Sequence, residues 1–247
     1  MSEVAKANSK EFKRLLRKRI WDLMVKKGIA TFPLPPHGRI PNFIGAEEAA
    51  KRLQGMSIFK QADVIKVNPD SPQKYVRYLV LVEGKRLVMP TPRISKGFLL
   101  LDPKRIPSNR FNEASTIRGA FKYGTYVHPK NLPGIDLMVT GSVVVDLWGN
   151  RLGKGEGYSE LEFGILRTYG KVVDETPIVT TVHDIQIVNI KIPRDPWDFT
   201  VDYIITPTRV IKALERYRPE GILWELLSDE KLREIPLLRR IKEELGV

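Results

Sequence analysis

Hydrophobic and polar positions along this chain repeat in two periods, which predict helices and strands in turn. Between residues 9 and 27 the apolar positions return every three or four residues, the spacing of an amphipathic helix. These positions are Phe12, Leu15, Leu16, Ile20, Leu23 and Met24. Asn8 or Ser9 can cap this predicted helix, and Gly28 can end it.

Shorter apolar runs rich in valine and isoleucine predict strands. Strands or extended segments are expected at residues 62–67, 86–89, 94–102, 137–146, 178–182, 185–188 and 201–206. Further helices are expected at residues 45–54, 73–82 and 112–122, and from Thr208 to the C-terminus with breaks at Pro219 and Pro236. The run at 137–146 is apolar almost throughout, as in a parallel strand covered on both faces. We therefore expect one α/β domain over residues 1–247, in which a largely parallel sheet has helices on both faces.

A glycine-rich loop interrupts this pattern between a β-branched run at 143–145 and an apolar helical spacing at 161–166. Its glycines are Gly149, Gly153, Gly155 and Gly157. Glycines let successive backbone N–H groups point inward, and a following helix adds partial positive charge at its N-terminus. The loop therefore predicts an anion cradle, with Arg151 and Lys154 inside it to neutralise charge. A tight bend between strand and helix is the alternative, because neither the Walker A nor the dinucleotide spacing is present.

Composition narrows the classes of protein. The chain of 247 residues is 42% hydrophobic and 28% charged, and no apolar stretch approaches the roughly 20 residues that span a bilayer. We expect a cytoplasmic protein with no membrane association, since no secretory signal pattern opens the chain. Cysteine is absent, which excludes disulfides, thiolate metal sites and a cysteine nucleophile. The three histidines are far apart in sequence and have no zinc-ligand spacing.

Positive charge is concentrated at the N-terminus. The formal net charge is +12, and about half of the excess lies in residues 1–27. Lys13 and Arg17 are four residues apart on the predicted helix and are expected to share its polar face. A basic helix of this kind can bind RNA or place its cations over the phosphates of a nucleotide. A solvated charged face is the common alternative.

Three sequence patterns resemble the 5-formyltetrahydrofolate cyclo-ligase family, also called methenyltetrahydrofolate synthetases. Residues 149–158 read GNRLGKGEGY and are similar to the family signature G-x-R-L-G-x-G-x-G-Y. Lys13-x-x-Leu16-Arg17 resembles the family's Lys-x-x-Leu-Arg, and residues 192–211 resemble its closing pattern. Residues 28–130 are closer to one branch, the methenyltetrahydrofolate synthetase domain-containing proteins. The resemblance implies the three-layer fold that the family shares with sugar-phosphate isomerases and CoA transferases.

The resemblance also implies a reaction. Family members use ATP and Mg²⁺ to phosphorylate the formyl oxygen of 5-formyltetrahydrofolate, after which the other folate nitrogen attacks and expels phosphate to leave the 5,10-methenyl form. We therefore expect a ligase that acts on this folate or a related reduced pterin. A non-catalytic nucleotide- or RNA-binding protein on the same fold is the second hypothesis, because this chain departs from the family pattern near the glycine loop.

Site residues follow from the resemblance, position by position. ATP phosphates would be held by Lys13, Arg17, Arg151, Lys154 and the backbone of Gly153, Gly155 and Gly157. Lys13, Arg151 and Lys154 are the candidate catalytic cations. Tyr158 and Asp70 would contact the substrate, and Glu160 would bind Mg²⁺.

Two of these assignments have structural alternatives. The family continues Gly-Tyr-Tyr-Asp-Arg where this chain has Gly157-Tyr158-Ser159-Glu160-Leu161, so a tyrosine is lost and glutamate replaces aspartate. Glu160 can instead stabilise the helix dipole, and Asp70 can serve as an ordinary turn or N-cap residue. Asp198 and Asp202 are further carboxylates that can approach the metal, with turn and strand-edge roles as alternatives.

Overall fold

The computed structural model describes the backbone of residues 3–247 and the side chains from Ser9 onward. The helices are α1 (Glu3–Lys26), α2 (Ala46–Gln54), α3 (Ser57–Gln61), α4 (Lys74–Val82), α5 (Phe111–Ala114), α6 (Ile117–Tyr123), α7 (Tyr158–Thr168), α8 (Asp229–Glu234) and α9 (Pro236–Leu245). The strands are β1 (Ala30–Thr31), β2 (Asn42–Phe43), β3 (Val64–Val67), β4 (Arg86–Pro90), β5 (Phe98–Leu101), β6 (Thr125–Val127), β7 (Leu137–Thr140), β8 (Val144–Asp146), β9 (Arg151–Leu152), β10 (Ile178–Thr181), β11 (Ile187–Val188), β12 (Tyr203–Ile205) and β13 (Val210–Lys212).

An eight-stranded sheet with the order β13-β12-β10-β7-β3-β4-β5-β6 forms the middle layer. Its five central strands, from β12 to β4, pair in parallel, and antiparallel strands extend it at both edges. Alternate side chains of each strand enter two separate hydrophobic clusters, one on each face: Ile65 packs with α1, α2 and α4, whereas Val64 packs with α7 and α9. The structure therefore confirms the expected three-layer α/β fold.

The predicted strand at 137–146 is wrong as a single element. The chain leaves the main sheet after Thr140, and β8 instead forms a small sheet with the order β11-β8-β9. Side-chain hydrogen bonds replace the ladder at the break: Ser142 Oγ lies 2.9 Å from Thr180 Oγ1, and Gln186 Nε2 donates to the carbonyl of Ser142 at 2.9 Å. This small sheet carries the glycine loop.

Other element boundaries also differ from expectation. Helix α1 begins at Glu3, so Ser9 lies inside it and does not cap it. Residues 98–101 alone form the strand expected within 94–102, and β11 begins at Ile187 after a short 3₁₀ turn. The helix expected from Thr208 is wrong, because β13 pairs antiparallel with β12 and the next α-helix begins at Asp229. Among the described residues, no helix is both long and apolar enough to cross a membrane.

The proline-rich segment after α1 wraps back over the carboxyl ends of the central strands. Trp21 Nε1 donates to the carbonyl of Arg39 at 3.0 Å, which ties the segment to α1. Ile40 is buried, and its Cγ2 would lie 2.8 Å from a Cβ added at Gly141, just beyond β7. The segment thus covers the carboxyl ends of the strands, where α/β proteins commonly bind ligands.

Candidate active site

Three parts of the chain meet at the carboxyl ends of β3 and β7. The Arg17 guanidinium, from α1, donates through Nε to the carbonyl of Gly153 at 2.7 Å. Arg151, at the start of the glycine loop, donates through its Nη2 to the carbonyl of Gly141 at 3.1 Å. Asp70 follows β3, and its Oδ2 would lie 3.1 Å from a Cβ at Gly141. The structure therefore brings Arg17, Arg151, Asp70 and the glycine loop together.

The glycine loop has the backbone geometry of an anion site. Gly155 has a φ of +103° and Gly157 a φ of +77°, conformations that other residues rarely adopt. Gly157 is the N-cap of α7. No capping side chain accepts hydrogen bonds from the first N–H groups of this helix. A Cβ at Gly155 would lie 3.5 Å from the Arg17 guanidinium carbon. An anion at this position would meet backbone N–H groups and a guanidinium at once.

The turn between β8 and β9 has a structural role. The Asp146 carboxylate accepts hydrogen bonds from the backbone N–H groups of Trp148, Asn150 and Ile192 at 2.9, 2.9 and 2.7 Å. Burial raises the pKa of Asp146, and these hydrogen bonds oppose the shift. Gly149 has a φ of +88°, and a Cβ there would lie 2.4 Å from the carbonyl oxygen of Val201. Gly149 is therefore required by packing, away from the proposed cradle.

Lys13 does not lie on a solvated face, which was the structural alternative for this residue. Its side chain is buried beside Leu16 and Ile20, and its Nζ donates to Asp195 Oδ2 at 2.6 Å and to Asp198 Oδ2 at 3.0 Å. Phe12 and Leu15, expected on the apolar face, are 37% and 50% exposed instead. Burial raises the pKa of Asp198, and the Lys13 ammonium opposes this shift.

Arg151 and Glu160 form a buried ion pair next to the loop, with Nη1 of Arg151 2.5 Å from Oε1 of Glu160. The Arg151 side chain also lies over the Phe199 ring, 5.1 Å from its centroid, and its Nε is buried without a partner among the described residues. Glu160 is thus paired with a cation here. Across residues 9–247, no cluster of three or more acidic or histidine side chains is arranged to hold a metal.

Asp70 stands at the N-cap position of a 3₁₀ turn, in agreement with the structural alternative of a turn residue. Its side chain makes no capping hydrogen bond, so the carboxylate is not used by the turn. Burial raises its pKa, and the charges of four surrounding cations oppose that shift; they are Lys154, Arg77, Lys66 and Arg151. Lys154 itself pairs with Glu156 at 2.8 Å and is about one-third exposed. A carboxylate held among cations, without a capping partner, is available to a ligand.

Tyr158 faces the C-terminal helices. Its hydroxyl donates to Glu234 of α8, and the Lys231 ammonium lies 4.2 Å from the ring centroid. Burial and the Glu234 carboxylate both raise the pKa of Tyr158. These contacts join α7 to α8, and the expected contact of Tyr158 with substrate stays a prediction.

Asp202 lies at the amino ends of β10 and β12, away from the carboxyl ends of β3 and β7. Its Oδ2 accepts from the N–H of Ile178, the first residue of β10, at 2.8 Å, and from Arg218 at 2.6 Å. Asp202 therefore has the strand-edge role that was its structural alternative.

Several polar residues of this region were not anticipated from the sequence. The buried ones are Lys66, Asn68, Gln73 and Glu162, and the partly exposed Asp195 pairs with Lys13. A lysine inside the apolar run at 64–67 was the one available signal, because a buried charge in a strand requires a partner. Its partner comes from a helix 96 residues away in sequence, which no local pattern reveals.

Gly141→Ala is expected to disturb the arrangement around Asp70. The added Cβ would lie 2.8 Å from Ile40 Cγ2, 3.0 Å from Gln73 Oε1 and 3.1 Å from Asp70 Oδ2, closer than such atoms normally approach. Overpacking of this kind costs about 1–3 kcal/mol, which thermal unfolding will detect. Gly134→Ala is the matched control, because no atom lies within 4 Å of its added Cβ. Equal melting temperatures for the two variants would contradict the close packing at Gly141.

Comparisons with known proteins agree with this architecture. The model of the 5-formyltetrahydrofolate cyclo-ligase family matches residues 9–207. The methenyltetrahydrofolate synthase domain-containing protein of Bos taurus is 43% identical over 94% of this chain and 62% of its own length. The Mus musculus protein of the same name is also 43% identical, over 94% of this chain and 63% of its own length. The chain thus spans about three-fifths of these curated relatives.

A solved structure supports the fold. The structure of Aquifex aeolicus 5,10-methenyltetrahydrofolate synthetase superposes with a TM-score of 0.51 and covers 86% of this chain and 98% of its own, at 20% identity. The similarity is one of fold, while the family match and the curated relatives establish kinship. The resemblance read from the glycine loop is confirmed: the chain belongs to the 5-formyltetrahydrofolate cyclo-ligase family.

Proposed function

We propose that this chain is an ATP-dependent ligase that converts 5-formyltetrahydrofolate, or a related reduced pterin, to the 5,10-methenyl form. The proposal rests on one arrangement. The N-terminus of α7, which no side chain caps, follows two glycines with positive φ, and Arg17 contacts this loop. The Asp70 carboxylate lies at the same end of the sheet and caps no helix. The glycine loop could thus bind an anion, and Asp70 could accept from N–H donors, in a chain of this family. One domain over residues 1–247 would contain both.

The glycine loop would bind the phosphates of ATP. Backbone N–H groups around Gly153, Gly155 and Gly157 supply hydrogen bonds, and Arg17 already lies against Gly155. Arg151 and Lys154 add positive charge, each at present balanced by a glutamate. Phosphoryl transfer needs fixed positive charge around the transferring oxygens more than it needs an acid or base. The cations and backbone N–H groups of this loop would supply this fixed positive charge.

Mg²⁺ would enter with ATP. This ion keeps several waters and takes phosphate oxygens together with one or two carboxylates, so it does not need a protein cage. The protein offers Glu160, provided that its carboxylate shares or exchanges its Arg151 partner. Bound Mg²⁺ would neutralise charge on the phosphates. Glu160 as its ligand stays a prediction.

Asp70 would orient the substrate. Reduced pterins carry N–H donors on the pyrimidine ring, and a carboxylate is an acceptor that pairs strongly with such donors. The phosphates on one side and the ring donors on the other would place the formyl group between them. The formyl oxygen would then take the γ-phosphoryl group as ADP leaves. The second folate nitrogen would attack the formyl carbon and lose its proton, and phosphate would leave. Positioning of the two reactants is the main contribution of the protein to this sequence.

A turnover assay tests the proposal directly. The protein is mixed with Mg-ATP and 5-formyltetrahydrofolate, and absorbance of the methenyl product is followed together with release of ADP. We expect equal amounts of the two products and none when ATP is omitted. If no methenyl product forms while a parallel titration still detects ATP binding, the ligase assignment is wrong and the cradle serves another substrate.

The outer surface of α1 favours a second candidate, binding of RNA. Lys10, Arg19, Lys26 and Lys27 are exposed there, and the chain has a net charge of +12. Binding through many phosphates should weaken steeply as salt rises, whereas a small-ligand pocket should respond mildly. Titration of a single-stranded RNA at two salt concentrations separates the two. The absence of RNA binding at low salt would remove this candidate.

A further inference from the structure

A buried polar network connects β3 to α7 beside the glycine loop. Lys66 Nζ donates to Glu162 Oε2 at 2.5 Å and to Asn68 Oδ1 at 2.7 Å. The side chains of Lys66 and Glu162 are 0% and 5% exposed. Lys66 lies on the face of β3 that α7 covers, within an otherwise apolar layer. This is therefore a fully desolvated ion pair.

Asn68 extends the network in two directions. Its Nδ2 donates to Ser159 Oγ at 3.1 Å and lies 3.3 Å from Glu162 Oε2. Its backbone carbonyl accepts from Arg77 of α4 at 2.5 Å. Hydrogen bonds thus run from α4 through the end of β3 to the first two turns of α7.

The network holds the part of α7 that forms the proposed cradle. Ser159 is the second residue of the helix, directly after the uncapped N-terminus at Gly157. Glu160, the third, is held by Arg151, and Glu162 by Lys66. Two buried ion pairs therefore fix the rotation of one helix end about its axis. Two residues after Asn68 comes Asp70, the proposed substrate carboxylate.

Stability alone does not account for a buried ion pair at this position. Removing two charges from water is costly, and apolar side chains of similar size often replace such pairs without loss of stability. Burial lowers the pKa of Lys66 and raises that of Glu162, and the attraction between them opposes both shifts. Phe163, Ile165 and Leu166 already pack α7 onto the sheet. Directional bonds, unlike apolar contacts, specify one rotation of the helix.

We propose that Lys66 and Glu162 are positioning residues, which set the first turn of α7 so that its N–H groups and the Asp70 carboxylate face one bound nucleotide–substrate pair. The inference rests on the proposed function for the identity of the ligands. The geometric part, control of the helix N-terminus by the buried pair, does not depend on it.

The test uses the double variant Lys66→Met/Glu162→Met, in which apolar side chains replace the pair. We expect its melting temperature to stay near that of the wild type. Amide hydrogen exchange in residues 155–161 should accelerate about tenfold, since the helix end is no longer fixed. Affinity for Mg-ATP should fall about 10- to 100-fold, as expected when a supporting contact of a binding site is lost. Lys66→Gln/Glu162→Gln leaves no buried charge and keeps a hydrogen bond between the two side chains, so it should lie between the wild type and the double variant.

Arg218→Met/Asp202→Asn is the matched control. It removes another charged pair, with side chains 4% and 14% accessible, at the amino ends of β10 and β12. It should leave exchange in residues 155–161 and Mg-ATP affinity unchanged. Wild-type exchange and affinity in the folded Lys66→Met/Glu162→Met protein would overturn the proposal.

Two further outcomes are distinguishable. A wild-type protein that binds no ATP would refute the proposed function, while amide exchange still decides whether the pair positions the helix. If the double variant does not fold, the comparison of Lys66→Gln/Glu162→Gln with the wild type decides, and unchanged exchange in that variant overturns the inference.

Discussion

Lys13→Ala is expected to lower turnover by about 100-fold or more, the loss typical of removing one preorganised charge contact to a transition state. A 100-fold loss corresponds to about 2.7 kcal/mol of transition-state stabilisation. Lys13 lies on the buried face of α1, one turn from Arg17, which contacts the glycine loop. We expect its ammonium to exchange one of its two aspartates for a phosphate oxygen when ATP binds. Initial rates at saturating Mg-ATP and folate measure the effect.

The same substitution also leaves two carboxylates without their cation. Asp195 and Asp198 share Lys13 in the structure, and their side chains are 31% and 18% exposed. Some loss of stability is therefore expected, and thermal unfolding must accompany the assay. Lys13→Arg keeps the charge that these aspartates require, so it should restore stability more fully than activity, since the position of the charge changes.

Lys18→Ala is the matched control on the same helix. Lys18 also pairs with an aspartate, Asp22, at 2.6 Å, but both side chains are about half exposed or more. Exposed pairs contribute little to stability, so this variant should retain the turnover and melting temperature of the wild type. Wild-type turnover in folded Lys13→Ala would remove Lys13 from the phosphate site and leave it a structural partner of Asp195 and Asp198.

Much of the fold could be predicted because its central strands are buried on both faces. Runs such as 64–67 and 178–181 are nearly all apolar or β-branched, and this composition alone predicts covered parallel strands. Edge strand β13 was missed because Val210–Lys212 is only three residues long, and its pairing with β12 is a tertiary contact. Local periodicity cannot distinguish such a segment from a helical one.

The glycine loop could be predicted more fully than the side chains around it. Gly155 and Gly157 have positive φ angles, which glycine adopts readily and other residues rarely do. The glycines in the sequence therefore indicate the backbone of the cradle without any distant contact. The break after Thr140 depends on Ser142 and Gln186, which replace strand hydrogen bonds across long sequence distances. The burial of Lys13 likewise depends on aspartates 182 and 185 residues away. Interactions at that separation leave no periodic signal in the sequence.

Gly155→Val is expected to abolish measurable turnover and to weaken ATP binding by about 100-fold or more. A Cβ at this position would lie 3.5 Å from the Arg17 guanidinium, and the two added methyl groups would extend from it into the space proposed for phosphate. The φ of +103° is also unfavourable for a β-branched residue, so the loop would change its path to relieve strain. Calorimetric titration with Mg-ATP measures the binding loss separately from chemistry.

Gly170→Val separates strain from the loss of the cradle. Gly170 follows α7 with a φ of +63°, and no atom lies within 4 Å of an added Cβ. A side chain in this left-handed region costs about 1–2 kcal/mol, so both variants should melt at lower temperatures than the wild type. Only Gly155→Val should lose ATP, because only its backbone and side-chain space belong to the proposed phosphate site. If Gly170→Val loses ATP to the same extent, the defect reflects general destabilisation of α7; if Gly155→Val binds ATP normally while folded, phosphate does not bind at this loop.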